Sequence, residues 1–180
     1  MQTSNPTLEE IQAKYPDIDV NMSGGTDSYN PEAPVVERDP IAVVIKHPTE
    51  NLYLIAQWKK SNWNGFLTGG IEEGDTLEQT VVKEIREETG FKHVKNIKPL
   101  DCVSHGLFFH PVKNVNRLAH YHLVFAELTD LECDEVGDEE KAIADFVWVP
   151  KDKILDLLSR NDMKLLWRYY STWSDSVQSV

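Results

Sequence analysis

The amino-acid sequence predicts an α+β fold, in which a layer of strands packs against a small number of helices. Short runs of β-branched and other apolar residues, separated by turn residues, recur between residues 41 and 149 and are typical of strands. A helical pattern follows a glycine-rich loop at residues 76–89, and apolar residues at helical spacing return at residues 151–173. This order of elements favours a layered sheet-and-helix domain.

The length and composition are those of an acidic globular chain. Its 180 residues fit one domain, and an apolar fraction of 41% is enough for a packed core. There are 30 acidic and 18 basic side chains, so the formal net charge is -12. Broad nucleic-acid binding needs many lysine and arginine contacts to phosphate, and the net charge argues against it. A phosphate-bearing ligand can still bind if metal cations bridge it to the protein.

Residues 1–38 are predicted to form a partly irregular N-terminal arm. A short helix is expected at Leu8–Lys14 with Thr7 as its N-cap, and turn residues predict a loop at residues 21–34. The arm could be disordered, wrap the domain or reach a partner subunit, and the sequence leaves these alternatives open.

The sequence also predicts the cellular location of the protein. It has no basic start followed by an apolar run, and no stretch approaches the ~20 apolar residues that span a bilayer. We therefore expect a cytoplasmic protein with no membrane contact. Cys102 and Cys133 form no CxxC pair and are expected to be buried free thiols in a reducing compartment.

The remaining residues, 39–175, contain the predicted core. A hairpin turn is expected at residues 48–51, between the first two strands of this unit. The predicted strands cover residues 41–45, 51–58, 66–70, 97–103, 107–110, 118–128 and 146–149.

Three acidic residues on the predicted central helix carry the strongest chemical signal. Glu84, Glu87 and Glu88 are spaced i, i+3 and i+4, so their carboxylates share one helix face about one turn apart. Like charges at this spacing destabilise a helix by roughly a few tenths of a kcal/mol per pair. Clustered carboxylate oxygens are, in contrast, the ligands that a hard divalent cation prefers.

The opposite face and the ends of this helix support a rigid site. Leu77, Val81 and Ile85 are spaced by four and are expected to hold the helix on the core. Asp75 is the predicted N-cap and Gly90 the predicted C-cap. A solvated acidic helix face is the alternative interpretation, because charged runs are usually solvated. The glycines that frame the helix favour a ligand site instead, since glycine permits close backbone approach.

Residues 69–91 resemble the NUDIX box, the pattern G-x5-E-x7-R-E-U-x-E-E-x-G-U, in which U is a bulky apolar residue. Asp75 stands where glutamate is usual, Lys83 where arginine is usual, and Thr68 where many members have proline. Lysine lacks the planar fork of arginine, so a weaker orienting ion pair is expected. The positions that match are Gly69, Glu84, Ile85, Glu87, Glu88, Gly90 and Phe91.

The resemblance implies an α/β/α sandwich around a mixed β-sheet and a pyrophosphohydrolase activity. Its substrates would be a nucleoside diphosphate linked to another group, such as a nucleotide-sugar, ADP-ribose or a nucleoside triphosphate. The resemblance implies that Glu84, Glu87 and Glu88 are catalytic and bind Mg2+, which Mn2+ could replace, and that the Gly70 carbonyl is a further ligand. A general base would be a box glutamate or a downstream carboxylate within residues 132–140.

Aromatic and basic residues outside the box are candidates for substrate binding. Phe66 is assigned to the substrate's base, and Lys59 and Arg117 are assigned to phosphate or carboxylate groups. Packing in the core is the alternative role for each aromatic residue. Further candidates of the two kinds are Trp58, Trp63, Phe108 and Phe109, and Lys60, His110 and Lys113.

A weaker resemblance concerns NUDIX-like inserts of some bacterial leucyl-tRNA synthetases. It rests on residues 36–41, 68–74 and 109–117. It implies the alternative of a non-hydrolytic module that binds a nucleotide or an RNA end. Because many NUDIX proteins are dimers, the family resemblance also implies a homodimer.

Overall fold

The computed structural model describes residues 5–178 and contains, within that range, one nine-stranded sheet with helices. Its strands are β1 (Asp19–Val20), β2 (Val35–Arg38), β3 (Pro40–Lys46), β4 (Leu52–Trp58), β5 (Trp63–Gly65), β6 (Leu67–Gly70), β7 (Val94–His110), β8 (Val115–Leu128) and β9 (Ala144–Pro150). Its helices are α1 (Leu8–Lys14), α2 (Leu77–Thr89), α3 (Asp138–Lys141), α4 (Ile154–Leu157) and α5 (Asn161–Gln178), with a 3-10 turn at Lys151–Lys153.

The sheet is mixed and is organised around β3. This strand pairs in parallel with β8 and antiparallel with both β4 and β6. Outward from β3, the main order runs β8, β7 and β1 on one side and β4 and β5 on the other. β6, which begins the box, is therefore hydrogen-bonded to the central strand.

Helices cover both faces of the sheet, because successive side chains of β3 point to opposite sides. Ala42 and Val44 pack with the apolar side chains of α5, which include Leu166 and Tyr170. The odd-numbered residues of the same strand, 41, 43 and 45, pack with Val81 and Ile85 of α2. The predicted α/β/α sandwich around a mixed sheet is confirmed.

The boundaries of α2 correct one detail of the sequence interpretation. The N-cap is Thr76 and not Asp75. The Thr76 hydroxyl accepts a hydrogen bond from the Gln79 backbone N–H, and the Gln79 side-chain oxygen accepts one from the Thr76 backbone N–H. The predicted C-cap is confirmed, since Gly90 has φ 79 and its N–H donates to the Arg86 carbonyl.

Residues 97–103 and 107–110 are strand, as predicted, but their division into two separate strands is wrong. These residues lie in one long strand, β7, which continues to pair with β8 across two shifts in register between residues 95 and 103. Pro99 and the irregular alternation of polar residues hide this continuity in the sequence. Cross-strand pairing with β8 maintains the strand where its own sequence pattern is weak.

The N-terminal arm contacts the sheet. β1 and β2, which the sequence does not predict, pair in parallel with β7 and β8 respectively. The predicted helix α1 is confirmed with its Thr7 cap, and it buries Ile11 against Leu107 and Leu118. The Asp19 carbonyl accepts a hydrogen bond of 2.9 Å from the Arg160 guanidinium. The division at residue 38 between an arm and a domain stays a prediction.

Two further expectations concern the cysteine thiols and membrane-spanning helices. Both cysteines are free, but Cys133 is exposed and only Cys102 is partly buried. Within residues 5–178, no helix has the length and apolar character that a membrane crossing requires.

Candidate active site

The three predicted metal-binding glutamates lie on the face of α2 that points away from the core. Val81 and Ile85 are fully buried and hold the helix against the sheet. Glu84 and Glu88 are partly buried, Glu84 against Gly69 of β6, and Glu87 is exposed. We call these three residues the acidic ridge. Their carboxylates differ in solvent exposure, since two are partly enclosed and one is in contact with solvent.

Gly69 and Glu84 are in close contact, which explains the glycine at the first position of the box. Gly69 is buried in β6, where it pairs with Ile41 of the central strand. A Cβ atom at residue 69 would overlap the Glu84 carboxyl group. In contrast, a Cβ atom at Gly70 would meet no atom within 4 Å. The backbone at Gly69 thus sets the position of the Glu84 carboxylate.

Crowded carboxylates dominate the electrostatics of the ridge. Burial raises the pKa of Glu88 to about 8, with added contributions from Glu84, Glu87 and Glu140. Burial also raises the pKa of Glu84, and the charge of Glu87 adds to this effect. Since each carboxylate makes ionisation of its neighbours more costly, the ridge favours a bound cation or proton.

The ridge is more open than a closed metal site. Within the described range, one group of three metal-ligating side chains has all its ligand atoms within 4.8 Å of one another: His93, Asp130 and Glu132, all exposed. The box glutamates do not form such a group, as expected for like charges that repel one another. In the exposed group, His93 pairs with Asp130 and Glu132 pairs with Lys92.

Ion pairs connect α2 to the loops at its two ends. Lys83 Nζ lies 2.6 Å from Glu72 Oε2, so lysine at the box position usual for arginine still forms an ion pair with the preceding loop. At the other end, the Arg86 guanidinium lies 2.9 Å from the carboxylate of Asp134. The Asp134 N–H donates to the Gly90 carbonyl, and the loop after β8 is thereby attached to the C-terminus of α2.

The raised pKa of Glu88 predicts that stability of the metal-free protein depends on pH. The ordinary pKa is 4.5 and the folded value is about 8, so the folded state holds this proton more tightly. The resulting stabilisation is complete below about pH 4.5 and is lost as the pH rises through about 8. Across this interval, we expect the free energy of unfolding to fall by roughly a few kcal/mol from this group.

Denaturant unfolding in EDTA, repeated from pH 5 to pH 9 (roughly the interval in which the group titrates), measures this effect. Glu88→Gln should lose that component of the pH dependence. Glu78→Gln, an exposed change in the first turn of the same helix, should retain it. An identical pH dependence in wild type and Glu88→Gln would contradict the proposed proton uptake.

An aromatic cavity of about 410 Å³ lies between the sheet and α5, and Thr68, the residue before Gly69, is part of its wall. All five aromatic candidates from the sequence line it: Trp58, Trp63, Phe66, Phe108 and Phe109. The Arg160 guanidinium, also in the wall, stacks over the Trp63 ring at 4.5 Å and forms an ion pair with Asp162 at 3.0 Å. Flat rings around a concave space are suited to stacking a planar group.

A second cavity of about 670 Å³ adjoins the first and reaches the box. The two cavities share Arg117, and the second is also lined by Gly69 and Gly70. Arg38 and Lys113 add two more cationic side chains. Within residues 5–178, none of these three cations forms an ion pair with a carboxylate, although the protein is strongly acidic. Burial lowers the pKa of Arg117, and the adjacent Arg38 lowers it further.

One sequence candidate lies elsewhere. Lys59 lines neither cavity and forms an ion pair of 2.9 Å with Asp145. Wall residues that the sequence analysis did not assign to a site include Asp27, Arg38 and Arg160. No local motif marks them, because strand register and the path of the arm bring them to the cavities.

Comparison with known proteins identifies the family of this chain. The family model of the NUDIX domain matches residues 37–169, well over half of the chain. The chain therefore belongs to the NUDIX family, whose hydrolases act on phosphoanhydride bonds, and the predicted family membership is confirmed.

Individual relatives share only a modest fraction of their sequence with this chain. A protein of Mycobacterium tuberculosis (strain CDC 1551 / Oshkosh), provisionally named mutator protein MutT4, is 28% identical over 111 residues. The match covers 62% of this chain and 42% of the relative, so the chain spans less than half of that relative's length.

Two solved structures have similar folds. A binary complex of the C. elegans Ap4A hydrolase has a TM-score of 0.55 at 15% identity, with 77% of this chain and 98% of that chain covered. The NUDIX domain of Shewanella oneidensis NrtR, complexed with ADP ribose, has a TM-score of 0.55 at 18% identity, with coverages of 81% and 94%. At these identities, the likeness describes the fold alone.

Proposed function

We propose that this protein is a Mg2+-dependent pyrophosphohydrolase that acts on a nucleoside diphosphate linked to another group. One observation carries the proposal: the acidic ridge of α2 and a cationic cavity meet at Gly69, next to an aromatic cavity. A nucleotide has a matching order of groups, with a planar base, a polyanionic phosphate chain and a scissile anhydride.

The residues present fit a divalent cation. Glu84, Glu87 and Glu88 supply hard oxygen ligands. Burial first, and then the neighbouring carboxylates, raise the pKa of Glu88, and a bound cation would offset both effects. The Gly70 carbonyl is assigned as a further ligand. When bound, Mg2+ (or Mn2+) supplies positive charge for phosphate oxygens and lowers the pKa of a coordinated water.

The protein's own groups would mainly position the substrate and balance charge, which is what phosphoryl chemistry requires. Gly69 allows Glu84 to approach β6, and the Lys83–Glu72 ion pair holds the preceding loop. Among the downstream carboxylates, Glu140 on α3 acts on the pKa of Glu88. We assign Glu140 as the additional carboxylate that completes the ridge.

Substrate binding is divided between the two cavities. The rings of the first cavity, including Phe66, would stack on the base, and Arg117 would contact phosphate oxygens where the cavities join. Arg38 and Lys113 would neutralise the far end of the phosphate chain. The partial desolvation of Arg117 strengthens such a charge-assisted contact.

Hydrolysis assays with Mg2+ test the proposal. The substrates are nucleotide-sugars, nucleoside triphosphates, and the compounds named for two structurally similar proteins, ADP-ribose and Ap4A. We expect release of a nucleoside monophosphate or phosphate that stops in EDTA and resumes with Mg2+ or Mn2+. No product from any compound, under conditions where the protein is folded, would contradict the enzymatic assignment.

A non-hydrolytic nucleotide-binding module is the second candidate. The observation in its favour is that residues 109–117, which span the end of β7, the turn and the start of β8, contribute His110, Lys113 and Arg117 to the cavity walls. Thermal stabilisation by a nucleotide and Mg2+ without product release would support this candidate. The homodimer and the cytoplasmic location stay predictions, and sedimentation measurements would test the first.

A further inference from the structure

A buried arginine connects the aromatic cavity to the N-terminal arm. Arg160, which immediately precedes α5, is only 8% exposed. Its guanidinium carbon lies 4.5 Å from the ring centroid of Trp63 and 5.6 Å from that of Phe108. The two rings meet edge to face, with their centroids 5.4 Å apart and an angle of 86° between their planes. One guanidinium therefore contacts two of the rings that form the cavity wall.

The guanidinium of Arg160 is itself held by residues of two distant segments. Its Nε and Nη2 atoms donate to Oδ2 of the buried Asp162 at 3.1 and 3.0 Å. Nη2 also donates to the Asp19 carbonyl at 2.9 Å, and the Asp19 carboxylate accepts a hydrogen bond from the Asn161 N–H. A Cβ atom at Gly106, the register partner of Asp19, would overlap the Asp162 carboxylate. These contacts fix the plane of the guanidinium.

The ring of Trp63 is less restrained than its backbone. The next residue, Asn64, exchanges two hydrogen bonds with Ser159, of 2.9 and 3.1 Å, so the strand β5 is attached to the segment before Arg160. Trp63 is only partly buried, and core packing encloses just part of its ring. A planar cation over an indole is attracted to the face of the ring, and this contact restrains the orientation of the ring.

We propose that Arg160 is a positioning residue that holds the Trp63 and Phe108 rings in the orientation that stacks the substrate's base, and that Asp19 keeps Arg160 in place. This inference rests on the proposed function, since it concerns the base-binding part of the same site. A guanidinium suits the role, because its edges bond carboxylates while its face lies on a ring. The arm thus contributes to substrate affinity, although Asp19 lines neither cavity.

Fluorine NMR tests whether Arg160 orders the tryptophan ring. Arg160→Lys keeps a positive charge beside Asp162 but removes the planar group, so it separates ring positioning from a purely structural ion pair. In protein labelled with 5-fluorotryptophan, Trp63→Phe identifies the resonance of Trp63 among those of the five tryptophans. We expect Arg160→Lys to shift and broaden this resonance. Asp17→Asn, an exposed change in the same arm outside both cavities, should leave it unchanged.

Metal-free binding of AMP, GMP and ribose 5-phosphate measures the consequence for affinity. Arg160→Lys should weaken the binding of AMP and GMP about tenfold, as expected when a base loses its stacking surface. Ribose 5-phosphate has the same sugar and phosphate without a base, so its affinity should not change. Asp19→Asn retains the ion pair between Arg160 and Asp162 and should have a smaller effect in the same direction. Thermal unfolding checks that all variants are folded.

The kinetic counterpart uses the best substrate from the hydrolysis assays. Because the base is bound equally in the ground state and in the transition state, Arg160→Lys should raise KM by a similar factor and leave kcat nearly unchanged. A fall in kcat at constant KM would show instead that Arg160 acts on the reacting groups.

Three binding or spectroscopic results would overturn the inference. The first is a Trp63 resonance that is unaltered in Arg160→Lys, and the second is an equal loss of affinity for the nucleotides and for ribose 5-phosphate. The third is a wild type that binds AMP and GMP no more tightly than ribose 5-phosphate, because the rings would then stack no base. The expected resonance and affinities without any hydrolysis would contradict only the enzymatic assignment. Hydrolysis with a wild-type KM in Arg160→Lys would reject only the role of Arg160.

Discussion

Replacing Glu88 by glutamine is expected to lower kcat at least about a hundredfold, while the protein remains folded. Glutamine has nearly the same shape but lacks the negative charge that a divalent cation requires. A metal ion typically supplies several kcal/mol of transition-state stabilisation, and about 1.4 kcal/mol corresponds to a tenfold change in rate. Initial rates under saturating Mg2+ with the best substrate from the hydrolysis assays measure the effect.

The same ridge supplies matched variants for this experiment. Glu84→Gln and Glu87→Gln should also lower turnover by orders of magnitude, since we assign both residues to the metal. Glu78→Gln removes one negative charge from the first turn of α2, away from the ridge, and should retain wild-type turnover. Near-normal rates in the Glu88 and Glu84 variants would refute the metal-binding assignment, even if the fold assignment stands.

Replacing Gly69 by alanine should lower turnover by about a hundredfold through displacement of Glu84. The added methyl group would overlap the Glu84 carboxyl group, so the flexible glutamate side chain must move. A shift of about 1 Å in a catalytic group can reduce the rate a hundredfold. Because the side chain moves more easily than the backbone, we expect only a small decrease in the free energy of unfolding.

A double-mutant cycle separates this effect from a general disturbance of β6. In a Glu84→Ala background the clash disappears, and Gly69→Ala should cause little further loss of activity or stability. Additive losses in kcat from the two substitutions would show that residue 69 acts independently of Glu84. Unchanged turnover in Gly69→Ala alone would show that Glu84 does not need its present position.

Much of the candidate ridge could be predicted from the sequence, because its geometry is local. The spacing of Glu84, Glu87 and Glu88 determines their shared face once a helix forms, and the spacing of Val81 and Ile85 determines which face is buried. Even here the N-cap was predicted one residue too early. Both Asp75 and Thr76 are good capping residues, and the reciprocal hydrogen bonds with Gln79 select the threonine.

Which residues line the cavities depends on contacts between segments that are far apart in the sequence. Arg38 lies near Arg117 because β2 pairs in parallel with β8 at Val36 and Arg117, and the two segments are far apart along the chain. Lys59 had the expected charge, but the register of β4 with β9 places it beside Asp145, outside both cavities. Residue type indicated candidates for phosphate binding, and strand register decided which of them line the cavities.

By itself, the sequence determined the class of fold, the acidic helix face and the framing glycines, because helix periodicity and turn conformations depend on residues close together in the chain. Only the tertiary structure decided that the N-terminal arm extends the sheet and that Asp27 enters the cavity wall. It also decided that burial raises the pKa of Glu88 to about 8. These features follow from pairing and desolvation between distant segments, which no local pattern of residues encodes.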